Sequence, residues 1–115
     1  MDSEQLQTLT IDALDEIKAV DVVALDVRRL TSIADSIVIA SGTSQRHVQS
    51  LADNVLQRAR EAGIRPLGVE GEQTGDWVLV DLGDVIVHVM RPEVRDFYNL
   101  EKLWDVAPRS ASVEG

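Results

Sequence analysis

Apolar residues along this chain alternate between two periodicities. From residue 4 to residue 20 they stand at Leu6, Leu9, Ala13, Leu14, Ile17 and Val20, mostly three or four apart, which places them on one stripe of a helix. Val22–Val27 and Ser36–Ala40 are short continuous apolar runs and predict buried strands. Over residues 44–62 the helical spacing returns with Val48, Leu51, Ala52, Val55, Leu56, Ala59 and Ala62. Thr43 or Ser44 supplies the N-cap of that helix and Gly63 its C′ position. The stretch RPLGVEG predicts a third, weaker strand, and joining it to the strand before the long helix makes a βαβ crossover. The fold class is therefore α/β.

The stretch DWVLVDLGDVIVHVM reads as a hairpin. Gly83-Asp84 forms a two-residue turn in which glycine supplies the positive φ. That turn sets a register pairing Leu82 with Val85, Val80 with Val87, Leu79 with His88 and Trp77 with Met90. One face then carries Val78, Val80, Leu82, Val85, Val87 and Val89 and must be the core side. The other carries Trp77, Leu79, Asp81, Ile86, His88 and Met90, and either a helix covers its inner part or it stays open. Immediately after it comes RPEVRDFYNLEKLW, a short helix with Pro92 near N1. Trp77, Phe97, Tyr98 and Trp104 thus fall close together at a sheet edge. One or two of them can be core; a cluster of that size points to a protein-binding patch.

Composition narrows the function. A chain of 115 residues that is 44% apolar fits one domain, expected over residues 1–105, with 106–115 as a disordered tail. There is no cysteine, so disulfides and thiolate metal sites are excluded. The N-terminus MDSEQLQTL has neither a basic n-region nor an apolar h-region, and no apolar run approaches the ~20 residues of a membrane span. A soluble cytoplasmic protein is expected. Asp and Glu outnumber Lys and Arg by 20 to 11, a net charge of −9, and the one basic cluster, Arg58, Arg60 and Arg65, lies around a helix C-terminus. That balance disfavours nucleic acid, which needs a basic stripe, and suits a basic protein partner.

The segments ADSIVIASGTSQRHVQSLAD, VEGEQTGDWVLVDLGDVIVHVM and RDFYNLEKLW resemble the Iojap or RsfS family, the ribosomal silencing factors, and the resemblance runs from about Leu6 to Trp104. It implies a mixed β-sheet with flanking helices in a nucleotidyltransferase-like topology, in a family whose members are often dimers. It implies a factor that binds a basic protein of the large ribosomal subunit at the subunit interface, sterically blocks joining of the two subunits, and represses translation when nutrients are short. The partner-facing residues it implies are Trp77, Met90, Pro92, Tyr98 and Leu100, with Arg95 and Glu101 beside them.

Such a topology raises an enzymatic alternative, because SGTS at residues 41–44 follows a strand and opens a helix, where free amides attract phosphate. Nucleotidyl transfer also needs paired carboxylates to hold Mg²⁺. Asp26 and Asp35 precede the turn, Asp53 stands alone within the helix, and Asp81 and Asp84 sit at the hairpin turn; none shows Asp-x-Asp spacing. Ser44, His47 and Asp53 lie on one helix and cannot converge as a triad. His88 reads as a packed or hydrogen-bonded sheet residue and His47 as an exposed helix residue. The turn therefore reads as a helix cap, with no catalytic residue, metal or cofactor expected. The rival reading is a residual nucleotide-binding or nucleotidyltransferase-like enzyme.

Overall fold

A computed structural model of the chain describes residues 1–104. The expected tail, residues 106–115, lies outside the described residues. Helix α1 (Ser3–Glu16) starts in a capping box: the Asp2 carboxylate accepts from the Gln5 amide at 2.8 Å, and the Gln5 side chain accepts from the Asp2 amide at 3.0 Å. It ends earlier than its apolar stripe predicts. Lys18 takes a left-handed φ of 61°, and Ile17 to Val20 turn into strand β1 (Val20–Asp26). Strand β2 (Ser36–Ser41) follows, then helix α2 (Gln45–Glu61), capped by Ser44 and closed by Gly63 at φ 80°.

Three strands and two short helices complete the order: β3 (Gly68–Glu70), β4 (Trp77–Asp81), β5 (Val85–Met90), α3 (Pro92–Tyr98) and α4 (Leu100–Trp104). The five strands form one mixed sheet in the order β1-β2-β5-β4-β3. Only β2 and β5 pair in parallel; the other neighbours are antiparallel. The crossover through α2 is split. It carries the chain from β2 to β3 at the far edge, and β4 and β5 then fill the gap between them. The β4–β5 register matches that set by the turn, with Trp77 opposite Met90 and Leu79 opposite His88, and Gly83 holds φ 92°.

Each face of the sheet has its own core. Val38, Ala40, Val78, Val80, Val85, Val87 and Val89 meet Leu6, Ala13 and Leu14 of α1 and Val48, Leu51, Val55 and Ala59 of α2. Burying side chains of this size stabilises by about 1.5–3 kcal/mol each. On the opposite face, Leu25, Ile37, Ile39 and Met90 are covered by Val94, Leu100 and Trp104. The second face is thus helix-covered on its β1-β2-β5 side, and β2, caught between two cores, is buried at every residue.

Candidate functional site

Where the helical cover of the second face ends, an aromatic group begins. Trp77 opens β4 and is half-buried against the second core. Its ring centroid lies 5.0 Å from that of Tyr98, and Phe97 meets Tyr98 edge-on, also at 5.0 Å. Phe97 is 80% exposed and Tyr98 55%, so the group turns large apolar area to solvent. Trp104 packs into the second core instead. Of the four clustered aromatics, Trp77 and Trp104 therefore both pack against the second core, while Phe97 and Tyr98 stay exposed.

Beneath the patch the indole Nε1–H of Trp77 donates to Nδ1 of His88 at 3.0 Å. His88 is buried, and desolvation pushes its imidazole down to about 4 from its ordinary 6.5. Beside it, Arg91 ties the start of α3 to the residue before Trp77. Its amide donates to the Asp76 carbonyl at 3.1 Å and its Nε to the Asp76 carboxylate at 2.9 Å. The Gln45 side-chain amide and the Arg91 guanidinium hold the Asp76 carboxyl below its usual value. The two segments that carry Trp77 and Tyr98 are thereby clamped to each other. The Arg91–Asp76 clamp carried no sequence signal of its own: two charges fifteen residues apart are joined only by the fold.

Two of the partner-facing residues implied by the resemblance are not surface. Met90 is fully buried in the second core, because β5 places it on the face that α3 and α4 cover. Arg95 is 8% exposed and its guanidinium is spent internally. It donates to the Asp21 carbonyl at 2.7 Å, to Ser41 Oγ at 2.9 Å and to Glu101 at 3.0 Å. Pro92 is exposed, while Leu100 and Glu101 are half-buried at the margin, Leu100 against the second core and Glu101 on Arg95. The open surface is therefore Trp77, Pro92 and Tyr98, enlarged by Phe97.

The SGTS turn is a cap. Ser44 Oγ accepts from the His47 amide at 3.0 Å. The Gly42 amide donates to the Met90 carbonyl at 3.0 Å and the Thr43 amide to His47 Nδ1 at 2.9 Å. The amides of Gly42, Thr43 and His47 are thus engaged within the fold. Gly42 is needed for close packing, since a Cβ there would lie 2.8 Å from Val48 Cγ2. His47 is not simply an exposed helix residue: its Nε2 meets the Ile17 carbonyl at 2.7 Å, tying the end of α1 to the start of α2. As Nδ1 accepts from Thr43, the proton sits on Nε2 and points at that carbonyl. Two of the acids, Asp26 and Asp81, have structural partners too. Asp26 chelates Arg28 at 2.7 and 3.1 Å, and Asp81 accepts from the Gly83 amide at 2.9 Å. Among the described residues no group of three or more His, Asp or Glu is placed to hold a metal ion, and no helix is long and apolar enough to cross a membrane.

Comparison with known proteins adds a family to this geometry. Residues 1–114 match the family model described as RsfS, ribosomal silencing factor during starvation. The ribosomal silencing factor RsfS of Chromobacterium violaceum is 46% identical over 104 residues, covering 90% of this chain and 85% of that protein. A crystal structure of a protein from Chromobacterium violaceum superposes with a TM-score of 0.91 at 44% identity, covering 99% of this chain and 95% of the other. At greater distance, the mouse protein named mitochondrial assembly of ribosomal large subunit protein 1 is 32% identical over 99 residues, covering 84% of this chain and 43% of its own length.

Proposed function

The chain belongs to the RsfS family of ribosomal silencing factors, and from that premise we propose that it binds the large ribosomal subunit through a basic ribosomal protein and sterically keeps the small subunit from joining. Translation is repressed as a result when nutrients are short, and the protein works in the cytoplasm among the subunits it occupies. The observation that carries this reading is the patch of Trp77, Phe97 and Tyr98, an exposed aromatic surface anchored to a rigid sheet. Aromatic anchors dominate the energy of protein interfaces, and the net charge of −9 suits a basic partner. The name of the mouse relative, a large-subunit assembly protein, favours the large subunit over the small.

No chemistry is required of such a factor. Occupying the face is enough, so catalysis, metal and cofactor play no part, and direct nucleic-acid contact is minor for a chain of net charge −9. A homodimer is compatible with this action but is not needed for it. The test is a sucrose gradient of purified subunits mixed with the chain. It should co-sediment with the large subunit and deplete joined ribosomes; joined ribosomes at full yield beside saturating protein would sink the proposal. In parallel, ATP with Mg²⁺ should leave the melting temperature unchanged, whereas an enzyme of the rival class would be stabilised.

A further inference from the structure

Trp77 and His88 are not cross-strand partners. Trp77 faces Met90 and His88 faces Leu79, so the two side chains are diagonal neighbours on one face of the hairpin. To reach His88 the indole must lie along the sheet rather than stand away from it, and the two rings do approach to 5.8 Å at 52°. The contact is specific because an indole nitrogen donates and never accepts. Nδ1 must then be the bare nitrogen and the proton must sit on Nε2.

We propose that His88 is the positioning residue of the aromatic patch: by accepting the indole N–H it fixes Trp77 in the pose that Tyr98 stacks on and that the partner meets. This rests on the reading of the patch as the partner-binding surface. An indole at the rim of a surface ordinarily satisfies its N–H with water and samples several rotamers. Binding then has to immobilise it, and ordering such a side chain weakens affinity. A buried acceptor removes that cost beforehand. His88 suits the task because it is almost wholly enclosed. Desolvation also keeps its ring neutral, so Nδ1 stays an acceptor at neutral pH. Tyr98, on the other flank at 5.0 Å, completes a cradle in which Trp77 is held by a hydrogen bond on one side and a ring on the other. A generic core histidine would give no reason for the acceptor to be aimed at the one tryptophan of the patch.

The experiment uses the full chain labelled with ¹⁵N and purified large ribosomal subunits. In the native protein the Trp77 indole N–H, assigned by its disappearance in Trp77→Phe, should exchange with water slowly. His88→Leu keeps the volume and removes the acceptor. It should move the indole signal, quicken its exchange, and weaken subunit binding about three- to tenfold, the cost of one immobilised side chain. His88→Asn puts Oδ1 where Nδ1 stood and should restore slow exchange and most of the affinity. Free-indole exchange in the native chain overturns the proposal, as does full affinity in folded His88→Leu or an asparagine variant as weak as the leucine one. Should His88→Leu fail to fold, the native exchange rate and the asparagine variant decide. Trp77→Ala in the same assay separates the two readings. If it binds as tightly as the native chain, the patch itself is wrong; if it loses binding while folded His88→Leu does not, only the role of His88 falls.

Discussion

Arg95 Nη1 lies 2.9 Å from Ser41 Oγ, so α3 is pinned through a buried guanidinium to the last residue of β2. The same nitrogen donates to the Asp21 carbonyl at 2.7 Å, and Nη2 completes the set on Glu101 at 3.0 Å. One side chain thus joins β1, β2, α3 and α4.

Arg95→Ala should lower folding stability by about 2–4 kcal/mol, since a buried pair loses one partner and two further acceptors are left open. Arg95→Lys should recover only part of it, because an ammonium cannot reproduce the fork. Urea denaturation checks this; an alanine variant within 0.5 kcal/mol of native, roughly the scatter of neutral surface changes, would mean the network is ornamental.

Tyr98→Ala should separate binding from folding more cleanly than any change at Trp77, whose ring is partly in the second core. Tyr98 is 55% exposed, so its melt should move little. If it anchors the partner, truncation costs about 2–4 kcal/mol of affinity, roughly thirty- to several-hundred-fold. Unchanged binding of Tyr98→Ala to large subunits would relocate the interface.

Stability should depend on pH through His88. The unfolded histidine takes up a proton below its ordinary 6.5, whereas the buried one resists until about 4. Between those values the unfolded state holds the extra proton, so stability falls as pH drops from 6.5 and levels off below 4. The full loss is about 3 kcal/mol for this group. His88→Leu should flatten that part of the profile. Parallel profiles for native and leucine proteins between pH 7 and pH 4.5, a span of roughly this window, would show that His88 is not the group responsible.

Association with the large subunit should slow as salt rises, because a net charge of −9 steers a basic partner and screening weakens that steering. Glu70 and Glu72 are exposed, whereas Asp76 and Glu101 are already paired with Arg91 and Arg95. An on-rate that stays flat from low to physiological salt would remove the electrostatic part of the proposal.

What was legible in the sequence is what neighbours decide. The α2 cap, narrowed to Thr43 or Ser44 and found at Ser44, the Gly63 terminus and the β4–β5 register follow from residues a few positions apart. The exposed or buried fate of Met90 and Arg95 was not legible. It depends on how α3 and α4 fold back over the second face, and a resemblance that marks a position as partner-facing carries no information about what lies on top of it. His47 was misread for the same reason. Its acceptor, the Ile17 carbonyl, belongs to another helix and becomes its neighbour only when α1 and α2 pack. The split crossover has a similar origin, since helical and strand periodicity do not say which strand will enter the gap.

The parallel join of β2 and β5 also sets an order of events during synthesis. Residues 42–84 lie between the two strands, so β2 leaves the ribosome long before the strand that will flank it exists. At elongation rates of about 5–20 residues per second the delay is a few seconds. Throughout that interval β2 can pair with β1 alone, and the edge that β5 will occupy stays unpaired. That open edge is a template for unwanted strand pairing, and arrival of the β4–β5 hairpin closes it.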